Sequence, residues 1–131
     1  MKLVFDTYAL MTYLRREPNY QVVRSLLIDT LQQQHEAYMS VINYGELFYM
    51  RWRKGSQSEA ESALKFVRRT GIHIEPATTA RVIRAARVKA TISLSYADAF
   101  AATLAEEIGA TLVTGDLEYK PLEPRINILW L

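Results

Sequence analysis

The chain contains no cysteine, which excludes disulfides, thiolate zinc sites and a thiol nucleophile. Histidine is almost as scarce: His35 and His73 stand in unrelated contexts and read as surface or strand-edge residues. Acid–base chemistry built on imidazole is therefore poorly supplied. The five glycines form no phosphate-cradling loop, and no serine-elbow motif is present. No apolar run approaches the length of a membrane span. An acid at position 6 spoils any signal-peptide pattern, so the expectation is an intracellular, cytoplasmic protein with no membrane partner. Aspartate occurs only four times, and residues 30–97 have none. That gap sets aside a phospho-receiver domain, which needs an acceptor Asp at the end of a mid-chain strand.

What the chain does have suits one domain. Its 131 residues are half apolar, enough for a single core over residues 1–131. The net charge of +2 is unevenly spread. Residues 51–89 carry ten Lys/Arg against Glu59, Glu61 and Glu75, whereas both flanks are net acidic. Such a stretch either holds a polyanion beside an acidic site or is a set of solvated helix faces.

Lys2-Leu3-Val4-Phe5 reads as a buried strand ending at Asp6. Helical spacing follows over residues 7–17, stopped at Pro18, and over residues 20–34. A short strand at residues 36–39 leads to Ser40, which can cap a helix from 41 to about 54 with Gly55 as its stop. That helix is apolar nearly all round, so it is either central to the fold or covered by a partner. Glu46 lies in its middle, and a charge placed there needs compensation. Further helices are expected from Ser56/Ser58 to 69, over 78–90, and over 99–108 behind a capping-box start at Ser95-Tyr96-Ala97-Asp98. Strands are expected at 72–75, 111–114 and, at a sheet edge, 126–131. The alternation predicts an α/β domain with a central parallel twisted sheet of four to five strands flanked by helices.

Asp6 and Asp116 each follow a strand, Asp98 opens a helix and Glu46 is the odd acid on an apolar one. Taken singly, Asp6 and Asp98 read as helix caps, Asp116 as a turn residue and Glu46 as half of an ion pair. Taken together, they can meet in the crevice beyond the carboxyl ends of the strands. Two carboxylates ~5 Å apart repel by roughly 3 kcal/mol at an effective dielectric near 20. A hard divalent cation relieves such a cluster, and carboxylates with hydroxyls suit Mg²⁺ or Mn²⁺. Thr7 and Thr114 are the adjacent hydroxyls, and Asn43 lies one helical turn from Glu46.

Four stretches, Phe5-Asp6-Thr7, Ser40-Val41-Ile42-Asn43-Tyr44-Gly45-Glu46, Leu94-Ser95-Tyr96-Ala97-Asp98-Ala99 and Val113-Thr114-Gly115-Asp116, resemble the signature stretches of PIN domains, most of all VapC-type toxins of toxin–antitoxin pairs. The resemblance spans nearly the whole chain, in order. It implies an Mg²⁺- or Mn²⁺-dependent endoribonuclease leaving 5′-phosphate and 3′-hydroxyl ends. It also implies a homodimer inhibited by a cognate antitoxin. Asp6, Glu46, Asp98 and Asp116 correspond to the family's catalytic acids, with Asp6, Asp98 and Asp116 as metal ligands. Thr114 matches its frequent hydroxyl residue, and Glu118 is an additional acid. The sequence departs from the pattern at Tyr8, where many relatives have a small residue. Arg51, Arg53 and Arg68 are the expected RNA-binding cations. A PIN nuclease of RNA maturation or DNA processing, and a non-catalytic PIN-like module, are the alternatives.

Overall fold

Leu3, Val4 and Phe5 are completely buried, as a strand covered on both faces requires. In a computed structural model describing residues 1–131, this strand, β1 (Lys2–Phe5), is the centre of the sheet. The elements that follow are α1 (Thr7–Leu14), α2 (Tyr20–Leu31), β2 (Glu36–Ser40), α3 (Val41–Lys54) and α4 (Gln57–Arg69). Next come β3 (His73–Glu75), α5 (Thr79–Thr91), α6 (Tyr96–Ile108) and β4 (Thr111–Thr114). A short 3₁₀ segment (Leu117–Leu122) leads into β5 (Asn127–Trp130). The five strands run parallel in the order β3-β2-β1-β4-β5, with β5 at the expected edge.

Alternate residues of β1 and β4 serve opposite faces. Leu3, Phe5 and Val113 pack with residues of α1 to α4 such as Leu10, Val23, Leu47 and Val67. Val4 and Leu112 pack with α5 and the alanines of α6, together with Tyr119 and Leu122. The chain thus winds one way from β1 to β3 and then crosses to the other side of β1 to make β4. The strand order reverses there, and the crevice of such a sheet opens where it reverses.

Local chemistry starts and stops the helices. Asp6 accepts from the Ala9 N–H at 2.8 Å, Ser56 from Glu59, Thr78 from Arg81 and Ser95 from Asp98. Two helices are shorter than their apolar spacing predicts. α1 ends at Leu14 because Arg16 takes a left-handed φ of 50°, and Pro18 disfavours helix at the residue before it. α2 ends at Leu31, with Gln33 left-handed at φ 60°.

The greasy helix α3 is largely central. Leu47 and Asn43 are buried, and the Tyr44 hydroxyl donates to the Leu64 carbonyl on α4. Tyr13 of α1 stacks on Phe66 rather than facing outward. The large apolar side chains that α3 leaves in solvent are Val41, Tyr49 and Trp52, the last two each 45% exposed.

Candidate metal centre

Asp6 ends β1, Asp116 follows β4, and Ser95 starts α6 so that Asp98 falls in its first turn. Oxygens of Asp98, Asp116 and Glu118 lie within 4.8 Å of one another. Glu118 joins them because the chain after Asp116 coils into the 3₁₀ segment, whose start is capped by the Glu118 N–H donating to Asp116 Oδ1 at 3.0 Å. These residues and Glu46 line one cavity of about 650 Å³, whose other walls include Thr7, Tyr8, Met11, Arg15, Met50 and Lys54.

Asp6 stands behind this trio. It is 1% exposed, and both its oxygens are engaged, Oδ1 by the Ala9 N–H and Oδ2 by the Thr114 hydroxyl at 2.6 Å. The same hydroxyl accepts from the Asp116 N–H at 3.0 Å, so Asp6 sets the backbone that carries Asp116. Burial pushes the Asp6 carboxyl up to about 7, against the opposing pull of the Thr114 and Ala9 hydrogen bonds.

Asp98 is also pushed up to about 7, by burial first and then by the charges of Asp116 and Glu46. Its place in the first turn of α6 favours the ionised form, yet desolvation outweighs that effect. The gathered oxygens of Asp98, Asp116 and Glu118 form a donor set suited to a hard cation, which takes carboxylate oxygens. The residues present therefore fit a divalent metal.

Tyr119 escaped sequence reasoning altogether. It is fully buried, and its hydroxyl donates to Asp98 Oδ1 at 2.9 Å. Burial and the neighbouring Asp6 and Asp98 charges raise its own pKa well above the ordinary 10, so it stays a donor. The only signal was the apolar spacing Leu117, Tyr119 and Leu122 within an otherwise polar connection. Asn43 acts as a clamp between elements: its side-chain amide N–H donates to the Ala97 carbonyl, and its main-chain carbonyl accepts from the Thr7 hydroxyl. The two contacts tie α1, α3 and α6 together at the crevice.

The sequence matches the PIN domain profile over residues 3–122. The chain belongs to the PIN domain family. Solved structures of similar fold include VapBC2 from Rickettsia felis bound to a DNA fragment from its promoter, with 18% identity, a TM-score of 0.74 and 98% of each chain covered. DNA-bound VapBC from Salmonella typhimurium gives 19% identity and a TM-score of 0.75 over 98% of this chain and 97% of that one. Mycobacterium tuberculosis VapC20, a Sarcin-Ricin loop cleaving toxin, gives 14% and 0.75 over 91% and 93%. At these identities the likeness is one of fold. No curated protein matches the sequence.

The PIN domain's basic middle does not gather at the crevice. Arg68 lines a cavity with His35, Glu36 and His73, at the starts of β2 and β3 and so at the opposite end of the sheet from the acids. Arg51 lines a separate hollow beside Phe66 and faces Glu59 at 3.8 Å. Arg53 lies over the Tyr49 ring at 5.0 Å, and the Tyr49 hydroxyl reaches Glu46 Oε2 at 3.4 Å. On α5, Arg81 is bound by Glu75 and Glu107, and Arg84 by Glu107. The cations that do line the acidic cavity of the PIN domain are Arg15 and Lys54.

Proposed function

We propose that this PIN domain is a divalent-metal-dependent endoribonuclease, using Mg²⁺ or Mn²⁺, and the toxin of a VapBC-type toxin–antitoxin pair. The observation that carries the reading is the meeting of Asp98, Asp116 and Glu118 oxygens within 4.8 Å at the strand-order reversal, with Asp6 buried behind them. Asp98 and Asp116 hold the ion, Glu118 completes the set, and Asp6 acts on it from behind through Thr114. A cation bound there would supply a water of lowered pKa and positive charge to offset the charge developing on the phosphoryl group. Glu46, which lines the same cavity, would orient the attacking water. Tyr119 and Thr114 hold the inner carboxylates in place, and Arg15 and Lys54 take flanking phosphates of the RNA. Solved relatives of this fold are toxin–antitoxin complexes, which supports a cognate antitoxin as partner. The half-exposed Tyr49 and Trp52 of α3 support a homodimer.

The deciding experiment is cleavage of a panel of structured RNAs in Mn²⁺ by wild type and Asp98→Asn, with end-group analysis. The variant keeps the helix start, because the Ser95 cap bonds a backbone N–H. It removes one ligand charge, and the rate should fall on the order of a hundredfold, roughly 3 kcal/mol in the barrier. Products should carry 5′-phosphate and 3′-hydroxyl ends. Equal cleavage by both proteins, or 2′,3′-cyclic phosphate ends, would refute the mechanism.

A further inference from the structure

Tyr8 has no obvious structural reason to be large. It is the second residue of α1, 47% exposed, and part of the cavity that also holds Glu46, Asp98, Asp116 and Glu118. Its ring takes no part in the protein's aromatic pairs, which are Tyr13–Phe66, Tyr38–His73, Phe48–Trp52 and Tyr96–Phe100. Nor does an arginine lie over it; those contacts fall on Tyr20 and Tyr49. Yet the ring is held. A Cβ built on Gly115 would meet Tyr8 Cε1 at 2.4 Å and Cζ at 2.9 Å. The ring therefore rests against the bare backbone between Thr114 and Asp116, in space that a Cβ would share. One side is supported by the strand end that carries a metal-site acid, and the rest is open to the cavity.

The electrostatics of the cavity give that ring a use. Carboxylates repel every phosphate except the one a metal ion bridges, and the cations Arg15 and Lys54 are the only positive side chains on the walls. These two cations can take phosphates, but the base beside the scissile phosphate is uncharged and needs a different attraction. Stacking of a base on an aromatic face is such an attraction, and it is tolerant of base identity. A base within a helix has both faces covered by its neighbours, so only an unstacked nucleotide can use the platform.

Resting on the nuclease reading above, we propose that Tyr8, seated on Gly115, is the stacking platform for the nucleobase adjoining the scissile phosphate, so that the site selects an unpaired, unstacked nucleotide of RNA. Tyr8 is a specificity-determining residue. It holds substrate without taking part in the proton or metal chemistry.

The test uses the intact protein in Ca²⁺ and short single-stranded oligoribonucleotides carrying 2-aminopurine at successive positions around a mapped cleavage point. Wild type and Tyr8→Phe should quench the probe at one position next to that point. Tyr8→Ala and Tyr8→Leu should not, and should bind the oligonucleotide roughly five- to a hundredfold more weakly. Tyr8→Leu keeps apolar bulk against Gly115 without a π-face, so full activity in that variant would overturn stacking. An abasic residue at the quenched position should weaken wild type strongly and Tyr8→Ala hardly at all. In Mn²⁺ the loss should appear in KM, with kcat little changed. An equal abasic penalty in both proteins, or unchanged affinity in Tyr8→Ala, refutes the proposal. Either result, obtained with a wild type that cleaves RNA and an Asp98→Asn that does not, leaves the nuclease reading intact. A wild type that neither binds nor cleaves RNA removes both.

Discussion

Replacing Asp6 by Asn should make the metal-free protein more stable at neutral pH, although it removes an acid from the centre of the fold. Asp6 is 1% exposed, and burial raises its carboxyl from the ordinary 3.8 to about 7. Below 3.8 both folded and unfolded chains hold the proton, and no linkage arises. Between 3.8 and 7 the unfolded chain releases it while the folded chain keeps it, so folded stability falls as pH rises. Three units at about 1.4 kcal/mol each come to on the order of 4 kcal/mol, fully expressed above pH 7. Asn is neutral throughout and remains a good cap for the Ala9 N–H. Its amide fits Thr114 less well, since that hydroxyl already accepts from the Asp116 N–H. The misfit costs about 1 kcal/mol at every pH. The stability of the variant minus that of wild type should therefore start slightly negative near pH 4. It should rise by several kcal/mol towards pH 8. Urea unfolding in EDTA across that range measures it. Taking the difference cancels the surface carboxylates of Glu106 and Glu107, whose arginine partners lower their pKa values and act with the opposite sign. A difference that stays flat within about 0.5 kcal/mol, or falls with pH, would refute the account of Asp6 as a buried acid strained by its own charge.

Divalent cation should relieve the same strain in wild type. Mn²⁺ or Mg²⁺ should raise Tm by several degrees, and Asp116→Asn or Glu118→Gln should blunt the rise in differential scanning fluorimetry. Tyr119→Phe removes the 2.9 Å hydrogen bond to Asp98. It should cost about 1–3 kcal/mol in urea unfolding and shift upward the pH at which the metal-induced Tm gain appears, because Asp98 loses a donor that favours its ionised form. Asn43→Ala leaves the Ala97 carbonyl without its side-chain donor. It should cost about 1–3 kcal/mol by the same measurement, with metal affinity falling alongside. Lys54→Ala should reduce the salt dependence of RNA binding by about one ion, whereas Arg68→Ala, at the far end of the sheet, should leave it unchanged in a fluorescence titration.

The order of elements was legible in the chain because it depends on local chemistry. A fully apolar β1 run, Ser and Asp caps, the Gly109 stop at φ 66° and the alanines of α6 act within a few residues of themselves. Parallel pairing also followed, since helices between strands leave no room for hairpins. The convergence of Asp98 and Asp116 was readable for the same reason: one opens a helix, the other closes a strand, and such ends share one rim of the sheet. Tertiary structure alone decided what depended on contacts distant in sequence. Asp6 and Thr114 are 108 residues apart, and their 2.6 Å hydrogen bond joins the end of β1 to the end of β4 beside the cluster. Tyr119 reaches Asp98 only because a 3₁₀ turn folds back beneath α6. Charge counting along the chain found a basic middle, but the sheet places its cations on different faces. Arg81 is bound to Glu107, Arg68 lies at the far rim, and Lys54 stands at the acids beside Arg15, which comes from outside that stretch. Composition fixes how much charge a protein carries; only the packing of its helices decides which charges see the same substrate.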